Sequence, residues 1–310
     1  MLKFVVRRLL QMVFVFFGAT ILLFSALFLF GNPADNLSGS GRRPPANVVR
    51  ELEAKYGLDK PIVVQYYKYV EGLVVRFDLG VSYRQNTRPV SEILPGKLAI
   101  TSKLAIFAIA IEILVGLGVG IISAVYKYSF LDIIVTIFTT ATIGVPVFVT
   151  AFLLQEVFAF WLHWLPAYRL DDGFVSYILP AIALASVDTA LVARLTRGSM
   201  LEVMRADFVR TALAKGVSRK AVIFKHVLRN SIIPVVTYIG ISFGTLLGGA
   251  LITENVFQLP GLGQALVIAI QSNDNPVIMG IVIYGVLIFA LVSLVVDLLY
   301  AVLDPRVRLQ

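Results

Sequence analysis

Apolar and polar positions alternate along this chain in long blocks, each apolar block running for about twenty residues, which is the length a helix needs to cross a bilayer. The first block, Leu9 to Phe30, has 22 residues with Gln11 as its main polar interruption, and Lys3, Arg7 and Arg8 precede it. Its core is too long for a signal peptide. The pattern therefore predicts a retained first span with its N-terminus in the cytoplasm. Further blocks predict spans over about 104–126, 133–160, 178–195, 232–252 and 276–303. Pro146 predicts a kink in the third, and the fourth is short and holds Asp188. The longest polar stretch, 32–97, opens with Asn32-Pro33 and a flexible SGSGRRPP patch. It continues with a helix predicted over Asn47–Tyr56, stopped by Gly57, an aromatic-rich helix around 62–75, and the turn-prone FDLGVSYRQNTRP.

Charge orients these blocks. Between Thr196 and Ser231 there are eight Lys/Arg against two carboxylates, whereas 161–177 and 253–275 together hold one arginine. Short loops rich in Lys/Arg stay on the cytoplasmic side. The 32–97 stretch has ten Lys/Arg and seven Asp/Glu, and long translocated segments escape that rule. The expectation is an all-α membrane protein with six transmembrane helices and both termini cytoplasmic. Residues 1–31 hold a cytoplasmic segment and the first span, 32–97 an extracytoplasmic region, 98–303 the core with a cytoplasmic loop at 196–231, and 304–310 a cytoplasmic tail. Composition agrees: 58% of residues are hydrophobic and 15% charged, with a mean hydropathy of +0.86. The net charge of +8 belongs to loops beside the membrane, so it is not a nucleic-acid footprint. Without cysteine, thiolate chemistry and disulfides are excluded, and His163 and His226 stand at opposite ends of the topology, too far apart for a metal centre.

The loop at 196–231 has an internal design that orientation alone does not require. Asp207 to Lys215 predicts a short helix with Phe208, Thr211, Ala212 and Ala214 on its apolar side. Gly216 allows a sharp turn, Ser218 caps a second helix running to about Ser231, and Pro234 starts the fifth span. Six Lys/Arg fall between Arg210 and Arg229. Attraction to anionic lipid needs charge but not a small-residue corner. A rigid elbow joined to two membrane helices instead suits a lever on which a cytoplasmic partner pushes.

Polar residues within or beside the spans are the other candidates. A carboxylate in a span has to face the bundle, water or a partner. Around Asp188, the same-face positions downstream are Leu191, Val192 and Leu195, so an intrahelical ion pair is not expected. Asp188 and Glu112 remain candidates either for lining a path or for a structural contact between helices. Past the fifth span, Glu254 and Phe257, with Pro260 and Gly261, predict a shaped re-entrant or capping segment that could belong to an outer gate.

The elbow, RTALAKGVSRKAVIFKHVLRNSIIPV at 210–235, resembles the cytoplasmic loop of permease subunits of binding-protein-dependent ATP-binding-cassette importers, in their dipeptide/oligopeptide branch. The resemblance runs almost end to end. It includes RRLLQ at 7–11, GLDKPIVVQYYKYV at 57–70, DLGVSYR at 78–84, the approach to the loop at 178–212, GGALITENVFQLPGLGQALVIAIQSNDNPVIMG at 248–280, and DLLYAVLDPRVR at 297–308. It implies a prokaryotic inner-membrane location and four kinds of contact: a second homologous permease, two cytoplasmic ATP-binding subunits, an extracytoplasmic substrate-binding protein and the bilayer. It also implies that ATP and Mg belong to the partner ATPase subunits and that this chain binds no cofactor. Ala212 and Gly216 fall on the alanine and glycine of the family's coupling motif, with Lys215 between them, and Arg210, Thr211, Val217 and Ser218 complete the segment. Arg210 stands where the broader family has glutamate, so a salt bridge assigned to that glutamate does not transfer.

The chain has no phosphate-binding glycine loop ending in Gly-Lys-Ser/Thr, since Gly96-Lys97 is followed by leucine. Its expected role is therefore non-catalytic. The competing reading is a secondary transporter or channel that needs no ATPase, for which an elbow of this form has no use. Within the resembled family short peptides are the favoured cargo, with nickel chelates, haem, glutathione and oligosaccharides carried by relatives.

Overall fold

In the computed structural model of the chain, residues 2–29, 60–84, 88–168 and 173–303 are described. Their regular structure is helical, apart from one bridge between Val81 and Pro89. The helix expected at Asn47–Tyr56 and the tail 304–310 lie outside these residues. The helices are α1 (Leu2–Leu29), α2 (Ile62–Val75), α3 (Val90–Val125), α4 (Phe130–Gly144), α5 (Val147–Trp161) and α6 (Ile178–Val203). They continue with α7 (Asp207–Ala214), α8 (Arg219–Ser231), α9 (Ile233–Leu247), α10 (Leu251–Val256), α11 (Leu262–Gln271) and α12 (Asn275–Leu303). Helices α1, α3, α6 and α12 are each long and apolar enough to cross a membrane. The pairs α4–α5, bent by 105°, and α8–α9, bent by 51°, bring the number of spans to six if each pair counts as one.

Several elements differ from the sequence pattern. Helix α3 starts at Val90 rather than near Leu104, so its first turns lie within the stretch expected to be an outer loop. Polar Ser91, Glu92 and Lys97 hide this extension in a hydropathy reading. Yet Val90, Ile93 and Leu94 are buried against α11 and α12, which outweighs the hydrogen bond that Pro95 removes. The single kinked span expected over 133–160 is a sharp corner, because Pro146 adopts an extended conformation and begins a new helix. The fifth span was expected to run to Ile252, but α9 stops at Leu247 and the chain turns through Gly248–Ala250 into α10.

Helix α6 is the axis of the bundle. Half of its apolar stretch is buried, against 6% for α1, which lies at the periphery and is tied to α12 by an Arg8–Asp297 ion pair of 2.8 Å. Around α6 pack α3, α4, α5 and α9. Helices α3 and α6 run antiparallel: Phe107 stacks on Tyr177 with ring centroids 5.8 Å apart, Gly116 faces Val192, and Ala124 meets Met200. Lipid supplies no hydrophobic drive for such pairs, so close backbone approach matters more. A Cβ at Gly120 would sit 2.6 Å from the Ala193 carbonyl oxygen. Only glycine fits there.

Candidate coupling elbow and membrane-embedded polar sites

The elbow forms as its capping residues require. Helix α7 ends at Ala214, and Gly216 takes φ +81°, a left-handed conformation that other residues adopt at a cost. Ser218 then caps α8 by accepting a hydrogen bond from the Ala221 amide at 3.4 Å. Within α8 the turn Val222–Val227 is wound with i→i+5 bonds. Pro234 sits in the first turn of α9, where its missing N–H costs nothing.

The buried side of α7 is not the one its sequence suggested. Phe208, Thr211 and Ala214 are exposed, and Ala212 is half-buried. Val209 is instead the residue that inserts into the bundle. It packs with Val222 and Val227 of α8, Met200 of α6 and Ala124 of α3. The elbow is thereby fastened to the matching ends of two long helices. Arg210, Lys215, Gly216 and Ser218 remain exposed, and Val217 is half-buried.

Directly behind that apolar cluster lies a charged clasp whose partners are far apart in the chain. Asp132, on α4, is 3% exposed and accepts from Arg197 Nε at 2.7 Å and Nη2 at 2.9 Å. It also accepts from Ser123 Oγ at 2.5 Å and the Tyr128 amide at 2.8 Å. A planar guanidinium meeting both carboxylate oxygens fixes orientation as well as distance. Ser123 adjoins Ala124 and Arg197 is one turn from Met200, so α3, α4 and α6 are locked together where the elbow attaches.

Near the middle of α3, about 18 Å along the helix from Ala124, Glu112 is fully buried. Here α3 contains a second i→i+5 turn, Glu112–Leu117. Ser242 of α9 donates to Glu112 Oε1 and lies equally near Asp188 Oδ2, at 3.3 Å from each. Tyr238 of α9 donates to Asp188 Oδ1 at 2.5 Å. The two carboxylates singled out in the sequence thus belong to one polar cluster joining α3, α6 and α9. Asp188 is half-buried, whereas Glu112 has no exposed surface.

At the other end of the bundle, α10 and α11 form a hairpin held by Glu254. This residue, with no exposed surface, accepts from Thr101 Oγ1 at 2.7 Å and the Gln264 amide at 3.0 Å, while Thr101 accepts from the Leu262 amide at 2.8 Å. Two otherwise orphaned N–H groups at the start of α11 are satisfied in this way, and a carboxylate beside a helix N-terminus also suits the helix dipole. Phe257, 1% exposed, packs with Leu259, Leu104 and Tyr177. Both residues anchor the hairpin from within.

Comparison with known proteins fits this architecture. Residues 116–309 match the family described as binding-protein-dependent transport system inner membrane component, and residues 1–105 match the N-terminal region of the same kind of membrane component. The dipeptide transport system permease protein DppB of Alkalihalophilus pseudofirmus is 39% identical, over 99% of this chain and all of the relative. The glutathione transport system permease protein GsiC of Escherichia coli K12 is 37% identical over 99% of each chain, and that of Pectobacterium atrosepticum is 36% identical over the same share. These matches, with the apolar helices, indicate a multi-pass inner-membrane protein with a non-catalytic role. The chain belongs to the binding-protein-dependent transport system inner membrane components, as a permease subunit of the dipeptide/oligopeptide-type ATP-binding-cassette importers.

Proposed function

We propose that this chain crosses the membrane six times with both termini and the elbow on the cytoplasmic side. With a second homologous permease it encloses a path for short peptides, which an extracytoplasmic binding protein delivers. Residues Arg210, Thr211, Ala212, Lys215, Gly216, Val217 and Ser218 couple that path to two cytoplasmic ATP-binding subunits. The observation that carries this reading is the attachment of the elbow. Its buried side joins the ends of α3 and α6 through Val209, Met200 and Ala124, while its turn and Phe208 stay exposed. A force applied there reaches the transmembrane helices without passing through a soft loop.

Register between helices supports six crossings. The elbow end of α3 is at Ala124, yet α6 begins beside Phe107, near the opposite half, which favours an α4–α5 pair that traverses the bundle despite its corner. Helix α9 likewise runs from the elbow, past Glu112 and Asp188, to Leu246 and Leu247 beside Ala105 and Ala108. Asp188, the half-exposed member of the carboxylate pair, lines the path, and Glu254 and Phe257 hold the hairpin that shapes its outer end. Transport follows if ATP binds more tightly to one arrangement of the assembly than the other, since a ligand shifts an equilibrium only by its differential affinity. The cargo assignment rests on the relatives, named for transport of dipeptide and of glutathione.

The test is ATP hydrolysis by the full complex in liposomes, with peptide-loaded binding protein. Peptide is expected to stimulate hydrolysis in the wild type. Gly216→Pro, whose ring cannot adopt φ +81°, is expected to abolish stimulation while the complex still assembles. Normal stimulation in an assembled mutant would remove the lever role, and peptide uptake without ATP would favour a secondary transporter.

A further inference from the structure

A cavity of about 430 Å³ opens at the end of the bundle opposite the elbow, between α3, α11 and the start of α12. Its apolar wall includes Ile93, Ala265, Ala269 and Val277, and its polar side carries Arg84 and Lys97. Lys97 lies some 27 residues along α3 from Ala124, or about 40 Å of helix. The cavity and the elbow therefore occupy opposite faces of the membrane-spanning body.

The two cations are held differently. Arg84 is positioned by its loop, donating from Nε to the Ser272 carbonyl at 2.8 Å. Lys97 is half-buried, and its ammonium makes no hydrogen bond or ion pair among the described residues. The carboxylate lining the same cavity, Asp274, is already committed: it is 2% exposed and accepts from Ser82 Oγ and, at 3.0 Å, from the Tyr83 amide. Glu254, whose charge acts on Lys97 from a distance, makes no ion pair with it, since its two oxygens accept hydrogen bonds from Thr101, one turn along, and from the Gln264 amide. A half-buried ammonium beside an apolar wall is incompletely solvated, and an anion that reaches it gains a charge-assisted hydrogen bond.

We propose that this cavity is a transfer site for the anionic end of the cargo, in which Lys97 receives a carboxylate while the apolar wall takes an adjoining side chain. Its volume is in the range of small-molecule pockets. The site rests on the peptide-importer reading above and deepens it. It places a selective contact in the permease itself, at the step after the binding protein lets go. Thr101 ties the floor of the site to Glu254 and Leu262, so an occupant at Lys97 presses on the same helix that carries Glu112 and, farther on, Ala124.

The test compares trialanine with its C-terminal amide in the full complex in liposomes, each presented at saturating occupancy of the binding protein as measured by calorimetry. Wild type is expected to transport the amide about tenfold more slowly, the factor a charged hydrogen bond of ordinary strength supplies. Lys97→Gln is expected to slow trialanine to the rate of the amide and to erase the difference, and Lys97→Arg to restore it. A difference that persists in Lys97→Gln, or wild-type transport that never distinguishes the two, overturns the site. Absence of any peptide transport in the wild type sinks the cargo reading instead, and with it this inference. Should Lys97→Gln fail to assemble, the wild-type complex answers alone. Acetylation of Lys97 by a membrane-impermeant ester, followed by mass spectrometry, should slow with trialanine but not with the amide, and equal rates count against the site.

Discussion

Asp132 accepts four hydrogen bonds, two of them from Arg197, and its position explains why α4 cannot drift from α6. Removing the carboxylate leaves a guanidinium without its counter-charge beside apolar surface. Asp132→Ala is therefore expected to cost on the order of 3 kcal/mol, seen as a lower midpoint when the purified protein is heated in detergent. The double change Asp132→Leu with Arg197→Met removes both charges and is expected to recover much of that loss, as interacting pairs do not add. If the double variant is as unstable as the sum of Asp132→Leu and Arg197→Met measured singly, the clasp is not an energetic unit. In the sequence Asp132 is simply the polar residue just ahead of the third apolar block. Its partner is 65 positions away, and no local period pairs residues at that separation. Glu112 and Asp188 were more legible, because a carboxylate inside an apolar run demands a partner somewhere. That Ser242 and Tyr238 would supply it was not, since hydroxyls occur on membrane helices for many reasons.

At the scale of elements, punctuation proved easier to read than facing. The turn at Gly216, the Ser218 cap and the Pro234 start all follow from local stereochemistry, which the sequence carries directly. The buried face of α7 does not. In DFVRTALA apolar residues occur on nearly every side, and eight residues are too few for a period of 3.6 to select Val209 over Phe208. The structure assigns them different surroundings, and this difference is measurable. Val209→Ala thins the seam between elbow and bundle, with a local loss of about 1.5 kcal/mol. It should raise the ATP consumed per peptide transported severalfold while leaving ATPase subunits bound. Phe208→Ala, at an exposed position on the proposed docking face, should instead weaken association of the ATPase subunits by about tenfold, with little effect on coupling in complexes that do form. Co-purification and transport stoichiometry separate the two, and identical phenotypes would mean that the seam and the docking face are not distinct. The corner at Pro146 illustrates the same limit. Proline announces a break in a helix, but the 105° angle is set by how α4 and α5 pack against α6.

For the whole molecule, six crossings dictate which positions share a side of the membrane, and the chain is well suited to a direct test. It contains no cysteine, so a single introduced thiol is the only target for a membrane-impermeant maleimide. Lys215→Cys, at the elbow turn, is expected to react only in inverted vesicles. Trp164→Cys, after α5, and Gln271→Cys, at the end of α11, are expected to react only in intact spheroplasts. The decisive position is Trp164, which is 68% exposed. If the α4–α5 pair were re-entrant, position 164 would label from the same side as Lys215, and the chain would have to reach the far end of α6 by another route. The antiparallel register, with Phe107 beside Tyr177 and Ala124 beside Met200, is the observation that favours the crossing. Labelling of position 164 from the outside together with position 215 from the inside would thus establish the third crossing. It would also place the elbow and the Lys97 cavity on opposite faces, as a lever and an entry site need to be. Labelling of both positions from one side would require the topology to be redrawn, and the lever would lose its fulcrum.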